Sequence, residues 1–462
     1  MQNFSESILF GDSYKLGHYL QYPPETKFIS SYIESRGFAH PFKYEPEVVH
    51  FGLQMFLHKL QEEITEEKID YTFELAKQHG LPFNVNGWKA VAKLGYLPLE
   101  IQALPEGTVI PIRTPQVQIK NTIPGFHWLT SYVETALLRS VWYPSTVATL
   151  SREIKRNIYT FLEKTADDPD AEISFKLHDF GCRGASSYES AKIGGMAHLA
   201  NFMGTDTVPA LIAGREYYHS DMAGFSIPAM EHSTVTAWGH ENNGEAEAYH
   251  NMTRMSGAMF SIVCDSYDME NAVRNIFGSK LVIDRLNRLN KKLVVRPDSG
   301  DPVKVTLQVI EILGEKFGFT ENSKGFKVLD PHVGIIQGDG VGLESINAIL
   351  DNYENNGWSA SNIVFGMGGA LLQQLNRDSL KYAQKANAID FGNGWEPINK
   401  NPKTDPSKAS KAGRIAVIYE DGYKSIPEDT LGYDENKLVT VFKNGDILKT
   451  WTLDEVRQNT KI

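Results

Sequence analysis

The middle of the chain carries a repeating rhythm of apolar and polar positions. Short apolar runs in SFKLHDFGCRG, SIVCDSYD, LVVRPDSGDP, VGIIQGDG and NIVFGMGG are each followed by a stretch whose apolar residues recur at helical spacing. Runs this short and β-branched, ending in turn residues, predict buried strands. The stretches between them predict helices, one opened by Ser186 with Glu189 behind it and another with Asp301 as cap and Pro302 as first residue. Five βα units in succession predict a parallel sheet or barrel. Just before them, FHWLTSYVETALL places Trp128, Leu129, Tyr132, Val133, Ala136 and Leu137 on one helical face.

Both ends of the chain read differently. FISSYIE, LPLEIQAL and TVIPI are strand-like, FGLQMFLHKLQEEI is helical, and the last stretch holds two hairpin turns, at Asp421-Gly422 and Asn444-Gly445. The expected division is a mixed α+β part over 1–125, a β/α-barrel-like core over 126–385, and a basic loop with C-terminal antiparallel strands over 386–462. The two ends are expected to join in one antiparallel-sheet domain, with the core inserted between them. The stretch from Gly392 to Arg414, rich in glycine, proline and lysine, reads as a long surface loop.

Composition narrows the function. The chain has 462 residues, 41% of them hydrophobic and 22% charged, which is ordinary for a globular protein. A net charge of −11 argues against a nucleic-acid coat, so an anionic ligand must be met by a local basic pocket. No membrane partner is expected, since no long apolar run or leader is visible, and a cytoplasmic address follows. Cys182 and Cys264 read as small buried hydrophobes rather than a disulfide or zinc set.

The ends of the apolar runs carry the chemistry. They read HDFGCRG, CDS, RPDSG, QGDG and GMGG, and in a β/α barrel ligands bind where strands end. Arg183 and Arg296 suit phosphate oxygens. Gly366, Gly368 and Gly369 offer bare backbone N–H groups before a helix. Asp265, Asp298 and Asp339 suit sugar hydroxyls, or a magnesium ion that in turn holds phosphate. His232 is the candidate for acid–base or nucleophilic work. Any one of these residues alone is as readily a cap, a turn or an ion pair; five strands ending alike point to a phosphorylated sugar. Walker, Rossmann and HExxH patterns are absent from the sequence.

The residues also resemble the nicotinamide phosphoribosyltransferase family of type II phosphoribosyltransferases. The resemblance rests on DSYKLGHYLQYPP, YPSTVAT, KLHDFGCRGASS, NFMGTDTV, IPAMEHSTVTAWG, DSYD, VRPDSGDP, TENSKGFKVL, IQGDG and FGMGGALLQQLNRD. It implies phosphoribosyl transfer from 5-phosphoribosyl-1-diphosphate to nicotinamide with magnesium, and ATP hydrolysis through a phosphorylated His232. It implies that Arg183, His232 and Arg296 contact diphosphate, that Asp298 and Gly338-Asp339 contact sugar and nucleotide, and that Gly369 and Arg377 contact the 5′-phosphate. Asp206 would accept the amide N–H of nicotinamide, and Phe180 would stack on the ring with Tyr14 of a second subunit. A homodimer with shared active sites is implied, in which Asp12, Arg36, Lys385 and Lys400 serve the partner's site. Glu231 and Asp265 would orient or polarise His232. Ala370, Ala409 and Ala412 depart from animal relatives, which carry glycine, arginine and lysine there, and Cys182 and Phe225 replace tyrosines. A nicotinate enzyme of the same fold, and a silent sugar-phosphate binder, are the alternatives.

Overall fold

The structure is a computed structural model that describes residues 8–254, 257–432 and 435–462. The chain forms two compact units. One comprises residues up to 149, 216–220 and 376–461; the other comprises 150–215 and 221–375, with Ile462. In chain order the principal strands are β1 (Phe28–Glu34), β2 (Leu99–Ala103), β3 (Pro115–Asn121), β4 (Leu177–Asp179), β5 (Gly204–Thr205), β6 (Met259–Val263), β7 (Lys292–Arg296), β8 (Val333–Gln337), β9 (Ile363–Met367), β10 (Ala383–Asp390), β11 (Trp395–Pro397), β12 (Ile415–Tyr419), β13 (Tyr423–Pro427), β14 (Val439–Lys443) and β15 (Asp446–Ile447).

The first unit is built on a seven-stranded antiparallel sheet in the order β11-β10-β1-β3-β2-β14-β15. Its strands come from both ends of the chain, as the two antiparallel-looking ends predict. Asn444-Gly445 makes the two-residue turn between β14 and β15 with φ of 51° and 92°, backbone that asparagine and glycine tolerate and a right-twisted hairpin needs. Asp421-Gly422 likewise turns β12 into β13, with φ of 50° and 121°.

The boundaries differ from those read in the sequence. The first falls not near 125 but inside helix Glu134–Thr165, whose early turns are tied to the first unit. There Ser145 Oγ accepts the Phe51 N–H at 3.0 Å and Thr149 Oγ1 accepts the Val49 N–H at 3.0 Å. The last falls at 375/376 rather than 385, because β10 pairs along β1 from Phe28 with Asp390 to Glu34 with Ala383. Residues Glu216–Ser220 also belong to the first unit, where Tyr218 stacks on Phe51 with ring centroids 5.2 Å apart and donates to Glu106.

The second unit carries a wholly parallel six-stranded sheet in the order β5-β4-β9-β8-β7-β6. Five of these strands are the apolar runs; β5, two residues long, is not visible as a run. Leu293, Val295, Ile363 and Phe365 are fully buried, as continuous apolar strands of a covered parallel sheet must be. The segment 225–230 reaches both outer strands, bridging Phe225 to Gly204 of β5 and Ala229 to Ser261 of β6. It donates the Met230 N–H to Ser261 at 3.0 Å and accepts the Thr205 N–H at Phe225 O at 3.0 Å, completing a barrel-like arrangement.

Helix caps follow the sequence with one shift. Asp301 Oδ1 accepts the Val303 N–H at 3.1 Å ahead of Pro302. The helix Tyr188–Leu199 is capped by Ser187 rather than Ser186: Ser187 Oγ accepts the Ser190 N–H at 3.0 Å, while the Ser186 N–H donates to Gln373 Oε1 at 2.8 Å. Among the described residues no helix is long and apolar enough to cross a membrane.

Candidate active site

In the second unit the ends of β6 and β7 bring four predicted residues together. His232 opens the short helix His232–Thr236, behind Glu231 as its cap. Its Nε2 lies 3.4 Å from Asp298 Oδ2 and 3.8 Å from Asp265 Oδ1. Arg296 Nε lies 4.0 Å from Asp298 Oδ1, which answers the charge left by LVVRPDSGDP at the end of β7. The Cys264 N–H donates to Arg296 O at 3.0 Å and so sets the two strand ends level. Two atoms remain unmatched: Arg296 Nε and Asp265 Oδ1 are buried without a hydrogen-bond partner. A buried donor and a buried acceptor left open at one place are what a ligand fills.

Sequence reading missed Ser266, whose Oγ sits 3.3 Å from His232 Nδ1. Its position after the β6 run in CDSYD is the signal that was present. The Glu231 side chain does not face the imidazole ring through any hydrogen bond; it accepts from Ser233 Oγ, while the Glu231 N–H goes to Thr234 Oγ1 at 3.2 Å. Its part is to cap the helix that His232 begins.

A second group gathers at the ends of β4, β5 and β9. The Phe180 N–H donates to Met367 O at 3.0 Å, and the Asp206 N–H donates to Asp179 O at 2.9 Å. The Phe180 ring lies against Gly366 and Gly338: a Cβ on Gly366 would overlap the ring, and one on Gly338 would lie 3.5 Å from Phe180 Cε2 and 3.6 Å from Asp298 Oδ1. The ring therefore adjoins the residues around Asp298. Asp206 is exposed, and Ser226, also absent from the sequence expectations, donates its hydroxyl to Asp206 Oδ1. Burial lowers the His178 imidazole, with the Asp206 charge pulling the other way.

Arg183 is exposed on the turn Cys182–Gly184, where Cys182 is only half-buried, unlike the fully buried Cys264. A Cβ on Gly184 would lie 3.2 Å from Gly369 Cα, so the Arg183 turn and the glycine turn after β9 touch. Gly369 opens a helix of only four residues, Gly369–Leu372, so backbone N–H groups rather than a helix dipole are what it offers. Asp339 is exposed after β8, its carbonyl accepting from Gln337 Nε2 at 2.7 Å.

The remaining candidates lie in the first unit. Burial lowers the Lys385 ammonium, with Glu134 opposing and with Arg36, Lys400 and Arg377 adding like charge, so these four cations form one group. Arg36 Nη2 donates to Ala409 O at 3.1 Å, and Arg377 Nη2 lies 3.2 Å from Asp378 Oδ1. Asp12 Oδ2 accepts from Thr135 Oγ1 at 2.6 Å, and the Tyr14 ring, 58% exposed, stands edge-on to His18.

The chain is similar to several known proteins. A family model described as the nicotinate phosphoribosyltransferase (NAPRTase) family matches residues 175–446, and one described as nicotinamide phosphoribosyltransferase, N-terminal domain, matches residues 6–101. A nicotinamide phosphoribosyltransferase of Xanthomonas campestris pv. campestris is 44% identical over 470 residues, covering 99% of this chain and 98% of the relative. One of Acinetobacter baylyi is 34% identical over 487 residues, covering 97% and 95%. Among solved structures, nicotinate-nucleotide pyrophosphorylase from Pyrococcus furiosus superposes with a TM-score of 0.63 at 17% identity, covering 100% of this chain and 96% of that one. Human nicotinic acid phosphoribosyltransferase gives 0.61 at 16% identity, covering 98% and 93%. At these identities the solved structures establish the fold alone: a β/α-barrel-like type II phosphoribosyltransferase core with an antiparallel sheet from both chain ends.

Proposed function

The chain belongs to the nicotinamide phosphoribosyltransferase family, and from that membership we propose that it transfers the phosphoribosyl group of 5-phosphoribosyl-1-diphosphate to the ring nitrogen of nicotinamide, giving nicotinamide mononucleotide and diphosphate in NAD salvage. What supports assigning the reaction to the ends of β6 and β7 is the pair of unmatched buried atoms, Arg296 Nε and Asp265 Oδ1, beside His232 and Asp298. An orphaned cationic donor suits the departing diphosphate, and recovering its hydrogen bond favours binding.

As the bond from the sugar to diphosphate breaks, positive charge grows on the sugar ring and negative charge on the leaving group. Asp298 is assigned to the first, and Arg296, Arg183 and His232 to the second. Gly338 and Asp339 are assigned to the sugar hydroxyls and Gly369 to the 5′-phosphate. Phe180 is assigned to the nicotinamide ring and Asp206 to its amide N–H. An ionised Asp206 would repel the carboxylate of nicotinate, which favours the amide as acceptor.

Among the described residues, no three His, Cys, Asp or Glu side chains are grouped to hold a metal by themselves. The free oxygen of Asp265 with Asp298 nonetheless fits magnesium bound by carboxylates together with substrate phosphates, the usual way this ion is held. When bound, the ion would neutralise charge on the diphosphate. The cations Arg36, Arg377, Lys385 and Lys400 are assigned to phosphate, and Asp12 and Tyr14 to the site of a second copy in a homodimer. Coupled ATP hydrolysis through phosphorylated His232 completes the proposal.

The test is mononucleotide formation from phosphoribosyl diphosphate and magnesium with nicotinamide or nicotinate, with and without ATP, followed by chromatography. Product from nicotinamide is the expected result. Product from nicotinate alone overturns the acceptor, and no product from either overturns the transfer.

A further inference from the structure

Asp179 ends β4 one residue before Phe180, and its side chain is wholly buried. Oδ1 accepts the Gly181 N–H at 2.7 Å, and the main-chain carbonyl accepts the Asp206 N–H at 2.9 Å. Gly181 O in turn accepts the N–H groups of Gly184 and Ala185 at 2.9 and 3.0 Å, which closes the turn carrying Arg183. One residue thus holds the chain on either side of the Phe180 ring and the start of the Asp206 loop.

The other oxygen is enclosed beside Thr207. Oδ2 and the Thr207 hydroxyl are buried together against Gly195, where a Cβ would lie 3.1 Å from Oδ2 and 2.9 Å from Thr207 Cγ2. Burial pushes the carboxyl up to about 6, with its hydrogen-bond donors pulling the other way and the nearby Asp206 adding to the rise. A carboxyl buried at that cost must return something by its shape and its acceptor.

Resting on the nicotinamide assignment above, we propose that Asp179 is a positioning residue of the acceptor pocket: it sets the spacing between the Phe180 ring and the Asp206 carboxylate, and so governs nicotinamide affinity without touching the substrate.

The test compares wild type with Asp179→Asn and Asp179→Ala by steady-state kinetics in both substrates and by crystal structures of all three. Asparagine keeps an oxygen for the Gly181 N–H and leaves the KM for nicotinamide close to wild type. Alanine leaves that N–H unpaired; the KM for nicotinamide rises by about ten-fold or more while the KM for phosphoribosyl diphosphate holds, since misplacement of a binding group by about 1 Å has effects of this size. In the structure of that variant the Phe180 and Asp206 backbones shift. Equal rises in both KM values, or an unmoved pocket with an unchanged nicotinamide KM, overturn the proposal. Where the alanine variant does not accumulate folded, Asp179→Ser takes its place. If wild type uses nicotinate instead, the function assigned above fails, and the same split measured with nicotinate, together with the structures, still decides the role of Asp179.

Discussion

Nε2 of His232 stands 3.4 Å from Oδ2 of Asp298, whose other oxygen stands 4.0 Å from Nε of Arg296. A single carboxylate therefore faces an imidazole on one side and a guanidinium on the other. Its charge holds both groups toward the place where the leaving group is assigned. Asp298→Asn keeps the size and removes the charge, and kcat/KM is expected to fall by about 10²- to 10³-fold with the fold intact. Steady-state kinetics beside a thermal melt checks this; a loss no larger than an ordinary surface substitution gives would take Asp298 out of the site.

Asp206 is held by the Ser226 hydroxyl at one oxygen and by its own N–H to Asp179. Its charge is what the proposal assigns to the choice between the two pyridine acceptors. Asp206→Ser is expected to cut the preference for nicotinamide over nicotinate by about ten-fold or more, mostly through a higher nicotinamide KM. Competition between the two substrates in one assay reads the ratio directly, and an unchanged ratio would assign specificity elsewhere.

The glycines under Phe180 make unequal demands. Gly366→Ala would place a methyl inside the Phe180 ring and force it to move, whereas Gly338→Ala meets the ring at 3.5 Å, an ordinary contact. The first is expected to cost about 1–3 kcal/mol of stability and to raise the nicotinamide KM, as overpacking does. The second is expected to leave stability nearly unchanged. Chemical denaturation of the two variants ranks them, and the reverse order would put the ring somewhere else.

Glu106 gives a pH dependence remote from chemistry. It accepts the N–H groups of Gly52 at 2.7 Å and Gln54 at 2.9 Å and the Tyr218 hydroxyl at 3.1 Å, yet burial outweighs these donors and pushes its carboxyl up to about 7. A carboxyl raised in the folded state is protonated there more than in the unfolded chain. Its contribution to stability is full below the unfolded value of 4.5 and is lost as pH rises through about 7. The loss amounts to about 3 kcal/mol across that window. Thermal midpoints of the wild type are expected to decline over this range, and Glu106→Gln to flatten the decline; an identical slope in the variant would trace it to another group.

What the sequence revealed follows from which forces act locally. The strands β4, β6, β7, β8 and β9 announce themselves because each is buried on both faces, and burial writes itself as an apolar run. Asp301-Pro302 and Asn444-Gly445 are visible because caps and tight turns are set by a few adjacent residues. β5 is hidden: two residues, Gly204 and Thr205, hold their place by pairing with β4 and Phe225, neither of which is near in sequence. The excursion Glu216–Ser220 is hidden for the same reason, being held by Glu106 and Phe51. In the candidate site, His232, Asp298 and Arg296 stand out as polar residues at strand ends and in loops of small and polar residues. Ser266, Ser226 and Asp179 contact groups that only the folded chain brings to them. The specific acceptor base comes from family resemblance, since no spacing of polar residues spells nicotinamide.

The pairing of β1 with β10 also has a meaning in time. Phe28 emerges from the ribosome early, but its partner Asp390 follows only after the whole second unit has been made, and β14, which pairs with β2, later still. The second unit, continuous from 150 to 375 but for five residues, has all its strands in hand before then. Synthesis thus hands the first unit a long wait with β1, β3 and β2 able to pair among themselves but the outer edges of β1 and β2 still open, and the parallel sheet is expected to be complete before the antiparallel one can close.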